Sequence, residues 1–424
     1  FAGFEVAVGT INIGTGVAGT NYSITGQTPA TGTWKAVKLT WSGRSETTDA
    51  SGEQDIQLGI GFAVSSTSRR AITGQSDHGP TTTATDRYQH DAACVVVLDI
   101  TGAVVGLLDF VSFNSDGATF VVDDAFPAAL EVSYELLGGT DLTDVATGQF
   151  QLPGVTGEFD AVTSLSFQPD FVLLTYISFS TAPPAGSSLA LLSIGAANST
   201  SQAVLSVTSE NAQATSATGS YARSGEVIAR VDAFTPAISS RVSFTSFLSN
   251  GFRLNMLEAG TGSTGYVFYL ALKGGSYSIG NFLTATDLNN FTETVGFTPK
   301  GMMFFSANRA ESTQDAATAH LEWSIGAASS ATAETTQYVR DKDNSATAAA
   351  FSAVEHDGFY ANASNDATQA IEGLGHVVTF ADPLTMAMTD ADPVASFVWY
   401  VAFGDTAVGG CTGSRLALMG VGGC

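Results

Sequence analysis

The chain has 424 residues, of which 13% are charged and 10% are aromatic. Its 40 Asp and Glu residues against 16 Lys and Arg give a formal net charge of −24, which disfavours nucleic acids and anionic membrane surfaces as partners. No apolar run is long enough to predict a membrane span, since the best candidate, residues 94–111, contains Asp99 and Asp109. The composition is typical of a folded all-β protein rather than a disordered one.

In chain order, the first segment is residues 1–20. It is Gly-rich, with alternating apolar side chains at Phe4, Val6 and Val8, which predicts an extended N-terminal arm that pairs with a sheet edge, its own or a neighbour's. The remaining segments are predicted as three β-sandwich repeats and a Gly-rich C-terminal tail, at 21–140, 141–275, 276–406 and 407–424. The predicted fold class is therefore all-β, with three tandem antiparallel β-sandwich-like domains and extended terminal arms.

The repeats are predicted from a phrase that occurs three times. Ser-Ile-Gly-Ala-Ala stands at 193–197 and 324–328, and a looser copy, Gly-Ile-Gly-Phe-Ala, stands at 59–63. A tyrosine within an apolar run recurs at almost the same step, at Tyr134, Tyr269 and Tyr400. Because two independent markers share one period, the chain is interpreted as three copies of one module, which favours construction or binding over catalysis.

Two hairpins are predicted at equal distances beyond the phrase. Asp116-Gly117 and Asn250-Gly251 lie between apolar runs, a strong hairpin signal. The third repeat has Asp382-Pro383 at the corresponding place, which predicts reorganised loops there. Helical periodicity is weak, and residues 316–323 are the one stretch that suggests a short helical turn.

Each repeat also carries a variable stretch rich in Thr and Ser, at 65–85, 198–220 and 329–349. Variable loops on a β-scaffold are expected to make the partner contacts. Arg69 and Arg70 lie in the first stretch and are interpreted either as loop surface or as contacts to carboxylates of another subunit.

No motif for catalysis or for a cofactor is found, and none of the five histidines has metal-ligand spacing. The carboxylate pairs Asp341/Asp343 and Asp390/Asp392 leave calcium as a minor alternative, although neither matches a complete calcium loop. No cofactor or metal is therefore predicted.

Three cysteines are too few for a disulfide framework. Cys94 is expected to be a buried apolar residue. Cys411 and Cys424 flank a Gly-rich run and are interpreted as an intramolecular disulfide, as free thiols, or as bonds to a neighbouring subunit.

Residues 60–71, 110–117 and 134–139 together resemble a repeated β-sandwich module of virion structural proteins from tailed phages, mainly marine and environmental ones. The opening strands at 167–172 and 296–300 are similar to those of the module. The resemblance spans about residues 34–406, and the third repeat departs from it at the late hairpin. It implies no catalytic residues.

The resemblance implies a non-enzymatic virion protein, and a capsid decoration or cement protein is the first expectation. Its partners would be other virion proteins and further copies of this chain, without nucleic acid or membrane, and its contact residues would include those of the arm and the arginine pair, namely Phe4, Val6, Val8, Arg69 and Arg70. The alternative is a receptor-binding tail or fibre adhesin that recognises host surface glycans. A glycoside hydrolase is the third hypothesis.

Overall fold

The computed structural model describes residues 3–53, 55–232, 237–260, 264–307, 317–363 and 370–406. These residues form 33 β-strands and no helix, so the all-β prediction is confirmed. None of the described segments is a helix long and apolar enough to cross a membrane.

Each repeat contributes eleven strands in the same order. Those of repeat 1 are β1 (Phe4–Ile13), β2 (Asn21–Ile24), β3 (Trp34–Trp41), β4 (Ala50–Glu53), β5 (Ile56–Ser65), β6 (Ser68–Ser76), β7 (Thr85–His90), β8 (Val95–Leu98), β9 (Val104–Asn114), β10 (Gly117–Asp124) and β11 (Leu130–Gly139). Those of repeat 2 are β12 (Asp144–Gln151), β13 (Gly157–Val162), β14 (Phe171–Tyr176), β15 (Ala185–Ser188), β16 (Ala190–Asn198), β17 (Gln202–Ser209), β18 (Thr218–Ser224), β19 (Ile228–Asp232), β20 (Ala237–Leu248), β21 (Gly251–Ala259) and β22 (Tyr266–Lys273). Those of repeat 3 are β23 (Ser276–Leu283), β24 (Phe291–Glu293), β25 (Gly301–Ser306), β26 (Thr318–Ala319), β27 (Leu321–Ser330), β28 (Ala333–Asp341), β29 (Ala350–Glu355), β30 (Tyr360–Ala363), β31 (Ile371–Thr379), β32 (Leu384–Asp390) and β33 (Phe397–Gly404).

The strands of each repeat build a large antiparallel sheet and a small one. In repeat 1 the large sheet has the order β1-β11-β3-β5-β6-β7 and the small sheet β2-β10-β9-β8, and repeats 2 and 3 have the same orders with their equivalent strands. The segment predicted as an N-terminal arm contains β1, which pairs over ten residues with β11 of its own repeat. The first sandwich therefore includes residues 4–13.

A seventh strand in each large sheet comes from another repeat. Strand β15 of repeat 2 pairs with β7 of repeat 1, β26 of repeat 3 pairs with β18 of repeat 2, and β4 of repeat 1 pairs with β29 of repeat 3. Because the last exchange joins the third repeat to the first, the three sandwiches form a closed ring with approximate three-fold symmetry.

The large sheets are buried on both faces. One face packs against the small sheet of the same repeat, and the other packs into a central core, the cluster of buried side chains from all three repeats that includes Ile60, Ile194 and Ile325. A sheet covered on both faces reads as a continuous apolar run rather than an alternating one, as β14 and β33 do.

The repeated phrase lies where the two sheets of each sandwich meet. Its isoleucine joins the central core, while the following glycine faces the small sheet. A Cβ atom on Gly61, Gly195 or Gly326 would lie only 1.8–2.0 Å from the carbonyl oxygen of the residue that precedes β8, β19 or β30, respectively. The phrase therefore needs glycine because two backbones approach closely.

The repeated tyrosines also lie against glycine. Tyr134, Tyr269 and Tyr400 pair across the sheet with Gly9, Gly148 and Gly280, and each ring lies over its glycine. An aromatic ring that covers a glycine on the neighbouring strand compensates for the missing side chain.

Both predicted hairpins are confirmed, as β9–β10 and β20–β21. The third repeat keeps the hairpin, β31–β32, with a longer turn at 380–383. The predicted helical turn at 316–323 is wrong, because residues 318–319 and 321–323 belong to strands that pair with neighbours.

Candidate functional site: the ring axis and the seams between repeats

Three equivalent loops interlock at one end of the ring; we name them the axial loops, residues 77–84, 210–217 and 342–349. Thr83 exchanges backbone hydrogen bonds with residues 212 and 213 of the second loop, Ser216 with residues 344 and 345 of the third, and Ala348 with residues 79 and 80 of the first. All six N···O distances are 2.8–2.9 Å. Part of each Thr/Ser-rich stretch therefore contacts another repeat of the same chain rather than an external partner.

The last residues of β6, β17 and β28 meet beneath these loops. Ser76 and Ser209 each donate a hydrogen bond of 2.7 Å to Oδ2 of Asp341. Since three equivalent positions touch one another, they mark the three-fold axis. Burial raises the pKa of Asp341 to about 6, and its Oδ1 has no hydrogen-bond partner among the described residues.

The predicted arm contacts lie inside the molecule. Phe4 is fully buried and stacks on Phe403 of repeat 3 with 5.8 Å between ring centroids. Val6 packs against the central core at Gly301, and Val8 is 5% exposed. Phe4 and Val6 therefore contact repeat 3 of the same chain.

The arginine pair is also engaged within the chain. Arg69 forms an ion pair of 2.8 Å with Asp109 and donates to the carbonyl of Phe110. Arg70 lies 5.8 Å from the ring centroid of Phe268 in repeat 2, and burial lowers its pKa. Arg70 therefore joins two repeats of this chain.

Among the described cysteines, Cys94 is a buried free thiol, and burial raises its pKa. The predicted disulfide partners Cys411 and Cys424 lie outside the described residues.

Three of the four carboxylates considered for calcium, Asp341, Asp343 and Asp392, accept hydrogen bonds within the fold. Asp341 lies at the axis, and Asp343 accepts a hydrogen bond from the backbone N–H of Thr218. Asp392 is buried and accepts hydrogen bonds from the hydroxyls of Thr284 and Tyr360. Neither pair gathers further carboxylates around it among the residues that the structure describes.

A different acidic cluster forms where repeat 3 meets repeat 1; we name it the seam cluster, Asp49, Glu355 and Asp357. One carboxylate oxygen of each lies within 4.8 Å of the others. Burial and the two neighbouring carboxylates raise the pKa of Glu355 to about 7. His356 donates its backbone N–H to Asp49 at 2.7 Å, and its imidazole lies between Asp49 and Glu131.

A cavity with a volume of about 430 Å³ lies in repeat 1. Asp55, Gln57 and His78 supply its polar groups, while Leu98, Phe126 and Leu130 supply apolar walls. It combines apolar walls with a few polar groups, which is the general form of a small-ligand site.

Three equivalent loops at the rim carry exposed apolar side chains; we name them the rim loops, residues 14–20, 152–156 and 284–290. Val17 is 74% exposed, Val155 66% and Leu288 64%. Each rim loop follows the last residue of the outer strand of its large sheet, at the same end of the sheet as the axial loops. The rim loops and axial loops thus lie at one end of the ring.

The exchanged strands and the seam cluster were not found from the sequence. The exchanged strands are two to four residues long, and their pairing partners lie about 90 to 300 residues away. One sequence signal for the exchanged strands was available, a polar insertion between the third and fifth strands of each repeat. Such a segment does not fit into the sandwich of its own repeat, which points to pairing elsewhere.

Comparisons with known proteins give no family. No family model matches the chain, and no curated protein matches it. Among solved structures, the structure of the infectious bursal disease virus Gx strain aligns with 95% of this chain and 81% of its own chain, at 11% identity and a TM-score of 0.09. A likeness of that size carries no argument about fold or function.

Proposed function

We propose that this protein is a non-enzymatic structural component of a phage virion, a capsid decoration or cement protein that occupies three-fold positions of the capsid lattice. The closed ring is the observation that carries the proposal. Each sandwich contributes a strand to the preceding one around the ring, so that one chain has the approximate symmetry of a trimer. A three-fold site on a symmetric shell offers three equivalent contacts to a molecule of that symmetry.

The rim loops are the proposed contacts. Their apolar tips, Val17, Val155 and Leu288, are the most exposed large hydrophobic side chains among the described residues. Three weak contacts on one rigid body add up through effective concentration, because the second and third form without further loss of translational freedom. The net charge of −24 favours capsid surfaces that carry basic side chains.

The proposal is tested by adding the purified chain to genome-free capsids of a phage that encodes it, followed by electron cryomicroscopy. We expect density over three-fold positions, with one chain at each. Absence of binding, or binding confined to the tail, would contradict the proposal.

Two triple variants sharpen this test. Replacement of Val17, Val155 and Leu288 by Asp is expected to lower occupancy at least tenfold. The matched control places Asp at Val111, Thr245 and Val378, three equivalent exposed positions at bulges of the small sheets. Equal occupancy of the two variants would exclude the rim loops as the contact surface.

A glycan-binding adhesin is the second candidate, and the cavity beside Phe126 favours it. Apolar walls with nearby carboxylate and amide groups suit a sugar ring. Binding of the chain to host cells, lost on Gln57→Ala or Phe126→Ala but retained in the triple rim variant, would support the adhesin and contradict the capsid role.

A further inference from the structure

We propose that the seam cluster is a calcium site that fastens the closure of the ring. The cluster joins the two repeats that are not consecutive in the chain. Asp49 immediately precedes β4, whereas Glu355 is the last residue of β29, the strand with which β4 pairs. An ion held by both would bind the first repeat to the third beside the pairing that closes the ring.

The burial of Glu355 points to a ligand. This side chain is 6% exposed, and no hydrogen bond to its carboxylate is found among the described residues. The charges that act on it most are those of Asp49 and Asp357, which oppose its ionisation, and of His356. A buried carboxylate without a donor is costly unless a cation compensates for it.

The donor set determines the kind of ion. Three carboxylate oxygens without nitrogen or sulfur suit a hard cation. Calcium accepts six to eight oxygen ligands in flexible geometry and completes its shell with water, whereas magnesium requires a nearly ideal octahedron. The side chains of Asp49 and Asp357 are exposed, which leaves room for water ligands and a path for the ion.

The equivalent positions at the seam between repeats 1 and 2 lack this chemistry. In the sheet registers, His90 is equivalent to Glu355. Two residues further along the chain, Ala92 is equivalent to Asp357. Pro184 takes the position of Asp49, because it precedes β15 as Asp49 precedes β4. At the seam between repeats 2 and 3, Arg223 takes the position of Glu355 and pairs with Glu226. The cluster therefore occurs at one of the three seams and is not repeated at the other two.

Calcium titration of the chelator-treated full chain by calorimetry tests the proposal, with terbium luminescence as a second probe. We expect one calcium ion per chain and a rise in Tm of about 3 °C at a calcium concentration a hundredfold above Kd. Asp357→Asn should weaken binding at least tenfold, and the exposed control Asp390→Asn should bind as the parent does. Absence of binding, or equal affinity in the Asp357→Asn variant, would overturn the proposal.

Glu355→Gln separates ion binding from a purely structural role. Without calcium, this variant should melt at a higher temperature than the parent, because it removes a buried charge that has no donor. With calcium, it should show no further rise in Tm. A variant that melts lower than the parent without calcium, or that keeps the calcium-dependent rise, would also overturn the proposal.

Discussion

The outer sandwich cores and the central core obey different rules. Where a large sheet meets its own small sheet, all three repeats use the same residues, a glycine of the phrase and a tyrosine over a glycine. Where the three large sheets meet one another, the repeats share the isoleucine of the phrase but differ at other equivalent positions, and the axis holds Ser76, Ser209 and Asp341. A fused trimer can place a different side chain at each copy of an axial position, which a trimer of identical chains cannot. The residues at the axis have diverged among the repeats. The phrase glycines and the tyrosines over glycines, which we name the sandwich frame, have not.

The largest expected effect concerns the part of the central core that repeat 1 contributes, where equivalent residues of the three repeats differ. Lys38 and Glu135 form a fully buried cross-strand ion pair, whereas the equivalent pairs are Leu173/Leu270 and Met303/Val401. Lys38→Met leaves Glu135 buried without its cation and should cost about 3–5 kcal/mol of unfolding free energy, measured by denaturant unfolding.

The double variant Lys38→Leu/Glu135→Leu gives repeat 1 the chemistry of repeat 2. It should be as stable as the parent or up to about 4 kcal/mol more stable, because well-packed apolar residues replace a desolvated pair. If the double variant were as unstable as the single one, the ion pair would be necessary to the packing of the axis.

The second prediction concerns the frame. Gly195→Ala places a Cβ atom 2.0 Å from the carbonyl oxygen of Val227 and should cost about 2–3 kcal/mol by the same measurement. Gly61→Ala and Gly326→Ala should cost about as much, because the same approach occurs in each repeat. Gly373→Ala is the control, since its Cβ would meet neighbours at 3.4 Å. Unequal losses among the three repeats would contradict a shared frame.

These two regions also differ in how far the sequence predicts them. The frame was predictable, because the phrase glycines and the tyrosines repeat in the sequence and because Asp-Gly and Asn-Gly mark hairpins locally. The ring was not, because its closure depends on short polar strands such as β4 that have no period or turn signature. The alternation at Phe4, Val6 and Val8 has the same limit, because it shows that one face is covered but does not identify what covers it.

The third prediction is a pH dependence at the axis. The folded-state pKa of Asp341, about 6, lies above the unfolded value of 3.8, so the folded state retains the proton. Its contribution to stability is present at low pH and is lost as the pH rises from about 4 through 6. Between pH 4.5 and 7.5 the parent should therefore lose about 2 kcal/mol relative to Asp341→Asn. A stability difference between the two proteins that does not vary with pH would show that Asp341 is ionised at the axis throughout.

The smallest expected effect concerns the repeated tyrosines. All three repeats have the aromatic side chain at this position, but they differ in the hydrogen-bond partner of its hydroxyl. The hydroxyl of Tyr400 donates to Glu293 at 3.0 Å, while no such bond is found for Tyr269 among the described residues. Tyr400→Phe should therefore cost about 1 kcal/mol, and Tyr269→Phe about 0.5 kcal/mol or less, because both keep the ring over its glycine and only the first loses a hydrogen bond. Both values are measurable by denaturant unfolding at one pH. Equal losses would mean that the hydroxyl of Tyr400 contributes nothing beyond its ring, and that repeat 3 has not diverged at this position in any way that affects stability.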